Sequence, residues 1–451
     1  MSNNKNISNK KMTKEEFLFE KMKRLIVPAY GCTEIGVIGY PCALCYEQFK
    51  GKKIKKITVD MSPFVYKNAA RVGVPNLGQC GITMIAAVGA YICEPSRKLE
   101  LFSQVTEEQR SKGQKLVDEN KVNITINQNC DPVYCHTILE TEEGDKAECL
   151  IEEHHDDVKW LKVNGKEVKV NQIKPHTSNE LVSSVELPPL EEIYTPDDYT
   201  LKDFYDIVMN AKYEDLMYLE KVFVINQQIS HYGTKHIIPG SFTDTFAKAF
   251  PAPRTWKQEV IYETCAAIDA RMFGASLPVL SSCGSGDHGL TISIPQYVFH
   301  ILNKSDIEVF VRGLCIANLI TWKVKYAIGA LSSMCGSVVA AATGSFIGMG
   351  VQIGLNVKQL EDLFNSCLCQ FAGVICDGAK MSCTYKVAGA LNNGFMALNL
   401  VRKGYRVQPR DGIVFEDPEK TLSVYKQISH DNSKNTNNSI VNKLNEINKE
   451  Y

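Results

Sequence analysis

The sequence has almost no net charge: among its 451 residues, 50 Lys and Arg offset 51 Asp and Glu and leave a formal charge of -1. Proteins that attract nucleic acids or anionic membranes through their overall field need an excess of basic residues. The absence of a basic excess therefore argues against nucleic acids and anionic membranes as partners. A small-molecule substrate is the expectation that remains.

The first residues also lack an apolar signal segment, since positions 1–11 are mostly Ser, Asn and Lys. A secretory signal requires an apolar core of about seven or more residues. We therefore predict a cytoplasmic protein whose sixteen cysteines stay reduced and form no disulfide framework. Metal binding, catalysis and packing are the roles left for them.

Charged residues are missing altogether from positions 326–357, a stretch long enough to span a bilayer. The stretch is dominated by Gly, Ala and Ser rather than by Leu, Ile and Phe, and its repeated glycines would interrupt one continuous lipid-facing helix. Small residues at such spacing also let soluble helices approach closely. We predict a tightly packed soluble core here and no membrane partner.

The pattern along the chain predicts an α+β fold that is mainly helical, with a small α+β module in the middle and an all-α C-terminal domain. Residues 1–98 are predicted to form a mainly helical segment, 99–186 the module and 187–429 the helical domain. The Asn164-Gly165 pair between alternating segments is a hairpin signal. Residues 430–451 are Asn-rich and poor in apolar side chains, which predicts disorder or a frayed helix.

Three cysteines are the strongest chemical signal: Cys335 in Ser-Met-Cys-Gly-Ser, and Cys376 and Cys383 at the ends of one octet. Thiolates select iron-sulfur clusters or zinc, and a site with three protein ligands keeps one position open for substrate. Their spacing matches no ferredoxin or zinc finger. Because free Cys is commonly buried, simple packing is the alternative interpretation.

Two Gly-rich segments precede predicted helices. Cys32, in Gly-Cys-Thr-Glu, could act as a base or nucleophile, because a helix N-terminus favours the thiolate form. The loop from Gly78 to Gly81 could bind a substrate carboxylate with its free backbone N-H groups. An ordinary turn and an ordinary helix cap are the alternatives.

A third Gly-rich segment spans residues 282–291 and combines hydroxyl, carboxylate and imidazole groups, with Ser285 and His288 as candidate substrate contacts. The alternative interpretation of this segment is a tight turn in which the glycines serve only the backbone conformation. The polar run at 153–157, Glu-His-His-Asp-Asp, is interpreted as a solvated turn rather than a metal site.

In combination, residues 31–34, 284–289, 334–336 and 376–383 resemble the L-cysteine desulfidase family, whose C-terminal part is similar to the α domain of iron-sulfur L-serine dehydratases. The resemblance implies that Cys335, Cys376 and Cys383 bind a [4Fe-4S] cluster with one open iron and that Cys32 accepts a proton. Asp287 stands where Asn is expected, and the loop at Asn76 is less glycine-rich. These departures bear on substrate preference.

The reaction that the resemblance implies is an α,β-elimination of L-cysteine to sulfide, ammonia and pyruvate without pyridoxal phosphate. Lys380 would balance the cluster charge or hold the carboxylate, with a solvated lysine as the alternative. An L-serine or L-threonine dehydratase, a non-catalytic iron-sulfur sensor and a structural zinc protein are the competing functions. Whether copies assemble into a homo-oligomer stays open.

Overall fold

A computed structural model describes residues 12–29, 31, 33–78, 80–170, 190–329 and 331–450. The fold is α+β and mainly helical, with a small mixed sheet in the middle and a helical C-terminal region, as predicted. Local signals set several helix starts. Thr13 caps the first helix, because its hydroxyl accepts from Glu16 N at 3.1 Å and its own N-H donates to the Glu16 carboxylate at 2.8 Å.

The N-terminal part brings two small-residue helices into very close contact. A Cβ atom added to Gly89 would lie 2.7 Å from the Cα of Gly39, so the pair requires glycine at this crossing. The helices of this part are α1 (Lys14–Leu25), α2 (Thr33–Glu47), α3 (Pro63–Ala69), α4 (Ile82–Ile92) and α5 (Glu107–Asp118), and a 3-10 helix covers Pro95–Ser103.

One six-stranded sheet forms the middle of the chain, in the order β3-β2-β4-β5-β6-β7. Only the β2/β3 pair is parallel. The predicted hairpin turn is confirmed at Asn164 and Gly165, where both residues have positive φ. The strands are β2 (Ile54–Met61), β3 (Val122–Ile126), β4 (Tyr134–Thr141), β5 (Lys146–Glu152), β6 (Val158–Val163) and β7 (Lys166–Val168).

Because β2 precedes residue 98 in the chain, the sheet crosses the predicted boundary between the first two segments. The C-terminal region also contains one short strand, β8 (Val279–Leu280), which pairs antiparallel with β1 (Pro28–Ala29). This pairing joins the start of the chain to the Gly-rich segment at 282–291.

The remaining helices form the C-terminal region. Among all helices that the structure describes, none combines the length and the apolar character that a membrane-spanning segment needs. The charge-free stretch forms a π-helix (Ser337–Ala342) followed by α13. The helices are α6 (Leu201–Asn210), α7 (Tyr213–Leu216), α8 (Glu220–Lys235), α9 (Phe242–Ala249), α10 (Trp256–Met272), α11 (Gly286–Asn303), α12 (Ile307–Ile328), α13 (Thr343–Gln352), α14 (Val357–Phe371), α15 (Cys383–Arg402) and α16 (Pro418–Glu450), with 3-10 turns at Pro196–Asp198 and Met217–Leu219.

Close approach explains the small residues of the charge-free stretch. A Cβ atom on Gly344 would lie 2.3 Å from the carbonyl oxygen of Ala317 in α12, and one on Gly348 would lie 2.6 Å from the carbonyl oxygen of Gly313. These glycines let α12 and α13 pack backbone against backbone. The prediction of close packing is therefore confirmed.

Of the two alternatives that the sequence left for the tail, disorder and a helix, the described residues 430–450 adopt the helix, which continues α16. Asn437 is fully buried, and Val441 is almost fully buried. Polar side chains on this helix face protein groups with which they hydrogen-bond, so a low apolar content did not prevent packing.

Candidate functional site

A cavity of about 290 Å³ lies where the N-terminal helices, the sheet and the C-terminal helices meet. Its walls are mostly polar or sulfur-containing side chains drawn from distant parts of the sequence. The lining residues are Thr33, Glu34, Asn68, Val133, Glu153, His154, His155, Arg271, Cys283, Gly284, Ser285, Asp287, His288, Lys325, Leu331, Ser332, Met334, Cys335, Gly336, Ser337, Cys376, Gly378, Ala379 and Cys383.

All three cysteines of the predicted triad line this cavity. A short antiparallel bridge holds the first two segments together, with Cys335 N donating to Val374 O at 2.8 Å and Cys376 N donating to Ser333 O at 2.7 Å. Cys383 is the first residue of α15, and its N-H donates to Lys380 O at 3.0 Å. Two loops and one helix start thus bring the thiols to one cavity.

The Cys335 and Cys383 thiols are neutral at neutral pH in the absence of a metal. Burial, reinforced by the neighbouring Cys376 sulfur, raises the pKa of the Cys335 thiol to about 11. Burial also raises the pKa of the Cys383 thiol to about 12, and the Asp287 carboxylate adds to this effect. Metal ligation requires the thiolate, so binding would release protons here.

The described residues do not gather three metal-binding side chains around a single point. A zinc ion needs its ligands about 2.3 Å from one point. Within the described ranges no group of three or more His, Cys, Asp or Glu side chains could hold a metal ion in this way. In an iron-sulfur cluster each thiolate binds its own iron, so the thiols surround the cluster instead of sharing a point.

Two buried lysines lie beside the triad. Lys67 of α3 donates from Nζ to the carbonyl oxygen of Cys376 at 2.9 Å, and Lys325 of α12 lines the cavity and donates to Gly329 O at 2.6 Å. Burial lowers the pKa of Lys325 to about 8, an effect that nearby sulfurs including Cys376 oppose. These two cations would balance negative charge held by the thiolates.

His288 is a neutral hydrogen-bond acceptor toward the triad. Its Nδ1 lies 3.0 Å from Ser282 O, and a carbonyl only accepts, so Nδ1 carries the proton and Nε2 does not. Burial, with the Lys325 charge, lowers the pKa of His288 to about 3. A Cβ atom on Gly336 would lie 2.4 Å from Nε2, so glycine next to Cys335 admits the ring.

Asp287 forms a buried ion pair with Arg271 of α10, at 2.7 Å between Oδ1 and Nη1. The same guanidinium donates from Nη2 to Gly31 O at 2.6 Å. Asp287, which stands where Asn was expected, therefore orients Arg271, and Arg271 in turn binds the backbone of Gly31, next to position 32.

Other predicted site residues are only partly brought together. Cys32 lies outside the described residues, although Thr33, which follows it in the sequence, begins α2 and lines the cavity. Ser285 lines the cavity. The remaining candidates, Gly78, Gly81 and Lys380, do not. Lys380 instead pairs with Asp377 at 2.5 Å.

Gly78 and Gly81 have a backbone role in the structure. Their φ angles are 69° and 128°, values that favour glycine, and Gly81 is the N-cap of α4. These angles agree with an ordinary helix cap, which was the alternative to an anion-binding loop in the sequence analysis.

Comparison with known proteins identifies the family. Residues 96–442 match the model of the serine dehydratase alpha chain family. The chain belongs to this family. The serine dehydratase alpha chain family is generally one of iron-sulfur enzymes, and membership suggests a lyase or dehydratase.

Several relatives carry the name UPF0597 protein. One from Clostridium perfringens (strain SM101 / Type A) is 30% identical over 438 residues, covering 95% of this chain and 97% of its own. Another from Desulfatibacillum aliphaticivorans is 30% identical over 404 residues, 88% of this chain and 90% of its own. A third, from Bacteroides fragilis (strain YCH46), is 29% identical over 408 residues, which cover 89% of this chain and 91% of its own.

Several residues that line the cavity were not identified as site residues from the sequence. Glu34 is one of them, although it belongs to the motif that contains Cys32. The turn between β5 and β6 is another, because residues 153–155 line the cavity whereas the sequence suggested a solvated turn. Lys325 and Arg271 have no motif around them. Only the meeting of distant segments reveals their position.

Proposed function

We propose that this chain is an iron-sulfur-dependent lyase that eliminates the β-substituent of a small amino acid, with L-cysteine as substrate and sulfide, ammonia and pyruvate as products. The observation that carries the proposal is the gathering of Cys335, Cys376 and Cys383 around one cavity that also holds cationic and acceptor side chains. A cavity of about 290 Å³ suits a small ligand.

Cys335, Cys376 and Cys383 would hold a [4Fe-4S] cluster as thiolates. When bound, such a cluster with three protein ligands supplies an open Lewis-acidic iron that favours departure of a soft leaving group. Lys325 offers a positive charge for the substrate carboxylate, and the unprotonated Nε2 of His288 accepts a hydrogen bond. Burial of both groups strengthens their interactions with substrate because water is excluded.

Cys32 is proposed to remove the Cα proton of the substrate. Its neighbours in the sequence support this role: Thr33 lines the cavity, and Arg271 holds the carbonyl oxygen of Gly31. Thiolates are favoured next to helix N-termini, and α2 begins at Thr33. Proton removal from Cα and loss of the β-substituent would give aminoacrylate, which water converts to pyruvate and ammonia.

An L-serine dehydratase is the second candidate, and the observation in its favour is the matched family, the serine dehydratase alpha chain. The same side chains would serve either substrate. The difference lies in the leaving group, since thiolate is the softer ligand for iron and leaves more easily than hydroxide.

Pyruvate release from L-cysteine and L-serine by the anaerobically reconstituted protein tests the proposal, with sulfide measured in parallel. We expect sulfide and pyruvate in equal amounts from L-cysteine and a kcat/KM higher than that for L-serine. A higher kcat/KM for L-serine would assign the chain to the dehydratase function. Absence of pyruvate from both substrates, with the iron fully loaded, would reject the elimination itself.

A further inference from the structure

The turn between β5 and β6 brings a histidine from the sheet into the cavity of the cysteine triad. Glu153, His154 and His155 all line it, and Glu153 has a φ of 66°, a value that is uncommon for a residue other than glycine. The turn is therefore held in a specific conformation over the cavity. Nothing in the elimination proposed above uses these side chains.

One ring nitrogen of His155, Nε2, is buried beside the cavity. Its side chain is 19% exposed, yet Nε2 is buried and forms no hydrogen bond within the described part of the chain. A buried polar atom left in this way costs about 1–3 kcal/mol. Native structures rarely retain such an atom unless a ligand, ion or water satisfies it.

Glu34, in the first turn of α2, lies opposite this nitrogen. Its Oε1 lies 4.0 Å from His155 Nε2, too far for a direct hydrogen bond. Asn68 Nδ2 donates to the same oxygen at 2.8 Å, and Thr33 Oγ1 donates to Oε2 at 3.1 Å. These bonds fix the carboxylate with one oxygen directed toward the histidine.

In the tautomer that carries its proton on Nδ1, His155 presents Nε2 as an acceptor. Nε2 and Glu34 Oε1, 4.0 Å apart, can then both receive hydrogen bonds from one nitrogen atom. A nitrogen about 2.9 Å from each acceptor would see them at an angle of roughly 90°, about 20° less than the tetrahedral angle between the hydrogens of an ammonium group, so each hydrogen bond would bend by only about 10°. A hydroxyl has a single hydrogen and no positive charge. Among the polar groups of a small amino acid, the primary ammonium is therefore the one that matches this pair of acceptors.

We propose that Glu34 and His155 together bind the α-ammonium group of the substrate, so that the sheet takes part in amino-acid recognition. This inference rests on the proposed function for the presence of an amino-acid substrate. The ammonium donates one hydrogen to Glu34 Oε1 and another to His155 Nε2. The substrate carboxylate is assigned to Lys325, which lines the same cavity.

Binding of two inert ligands to the iron-loaded protein under anaerobic conditions tests this. L-alanine has the ammonium group and no leaving group, whereas L-lactate has a hydroxyl in place of the ammonium. Calorimetry should show tighter binding of L-alanine. His155→Leu and Glu34→Gln should each weaken L-alanine binding by roughly tenfold or more, with L-lactate binding unchanged.

Two further variants separate recognition from folding. His155→Gln retains an acceptor and should recover part of the L-alanine affinity that His155→Leu loses. Asp157→Asn lies in the same turn but does not line the cavity, and it should bind both ligands as the wild type does. The thermal midpoint of each variant shows whether it is folded.

Unchanged L-alanine affinity in folded His155→Leu and Glu34→Gln would overturn the inference. Equal weakening of both ligands would overturn it as well, because the residues would then only support the cavity. Pyruvate formation with unaltered ligand selectivity in the variants would reject this inference alone. Selective loss of L-alanine binding in a protein that releases no pyruvate would reject the elimination and leave ammonium recognition standing.

Discussion

Burial gives the side chains of this cavity properties that they lack in water. His288 is held neutral, and Asp287 is paired with Arg271 inside the protein. A buried ion pair adds little net stability but is costly to break, because one charge would be left without compensation. The pair therefore fixes the arginine that holds Gly31 O, and this makes Asp287 a positioning residue for the chain beside Cys32.

Replacing each triad cysteine with serine tests the ligand assignment. Cys335→Ser, Cys376→Ser and Cys383→Ser should each lose the cluster, because a hydroxyl is a hard, poorly ionised ligand for iron. Iron and acid-labile sulfide per chain, measured after anaerobic purification, give the result. Cys369→Ser, at an exposed thiol, is the control and should load iron as the wild type does. Full loading of all three triad variants would reject the assignment.

Cys32→Ala separates catalysis from cluster binding. The variant should keep the iron and sulfide content of the wild type, because Cys32 is not in the proposed ligand set. Turnover should fall at least 100-fold, the size of effect that a general base commonly has. Exchange of the substrate Cα hydrogen for deuterium, followed by mass spectrometry, reports the step directly. Near-normal exchange in Cys32→Ala would show that another group is the base.

At the scale of elements, α16 braces the loop that carries Cys335. Three of its polar side chains are spaced four residues apart and so share one face. Ser429 Oγ donates to Ile328 O at 2.6 Å, Ser433 Oγ accepts from Ser333 N at 3.0 Å, and Asn437 Oδ1 accepts from Lys67 Nζ at 2.5 Å. This face explains why a polar, Asn-rich sequence packs as a helix.

Asn437→Leu tests that bracing role. The change keeps the side-chain size but removes an acceptor from the buried Lys67 ammonium, so unfolding in urea should show a loss of roughly 2–3 kcal/mol. Iron loading should fall as well, because Lys67 also holds the carbonyl oxygen of Cys376. Asn435→Leu, two residues away and exposed, is the matched control and should change neither property. Equal stability of the two variants would argue against a brace.

For the whole molecule, the site depends on the correct meeting of three regions. The cavity takes residues from the start of α2, from the sheet and from the C-terminal helices, so no single segment contains it. The β1/β8 pairing and the contact of α16 with α3 connect the first and last parts of the chain. Loss of global stability should therefore remove the site as a unit.

Acid should destabilise the whole fold through His288. Its pKa is about 3 when folded and 6.5 in the reference state, so between these values the unfolded chain binds a proton that the folded chain does not. Stability contributed by the neutral ring is therefore lost as pH falls below 6.5, by roughly 2 kcal/mol between pH 7 and pH 5.

The urea unfolding free energy of wild type and His288→Asn at the two pH values measures this contribution. The variant should lose less stability on acidification than the wild type. His430→Asn, at an imidazole that is 89% exposed, is the control and should retain the wild-type dependence. Identical acid sensitivity in His288→Asn and the wild type would contradict the assignment.

Local features of this chain could be predicted because they depend on neighbouring residues. The Asn164-Gly165 turn follows from backbone sterics at two neighbouring positions. The small residues of the charge-free stretch indicate by their type alone that helices can approach closely there. The α+β, mainly helical class followed from the same signals. The three soft ligands were also visible, because residue type alone restricts the metals that they can bind.

Tertiary structure decided which polar groups face protein and which face water. From the sequence, residues 430–450 resembled a solvated segment, but in the structure their polar side chains hydrogen-bond to α3 and to the loop that carries Cys335. Likewise, the sequence around His155 is typical of a surface turn, but the fold places His155 opposite Glu34. The energy of a buried polar group depends on its partner, and those partners are distant in the sequence. Sequence alone therefore determined the elements and the chemical types of ligand, and only the fold determined the cavity in which they meet.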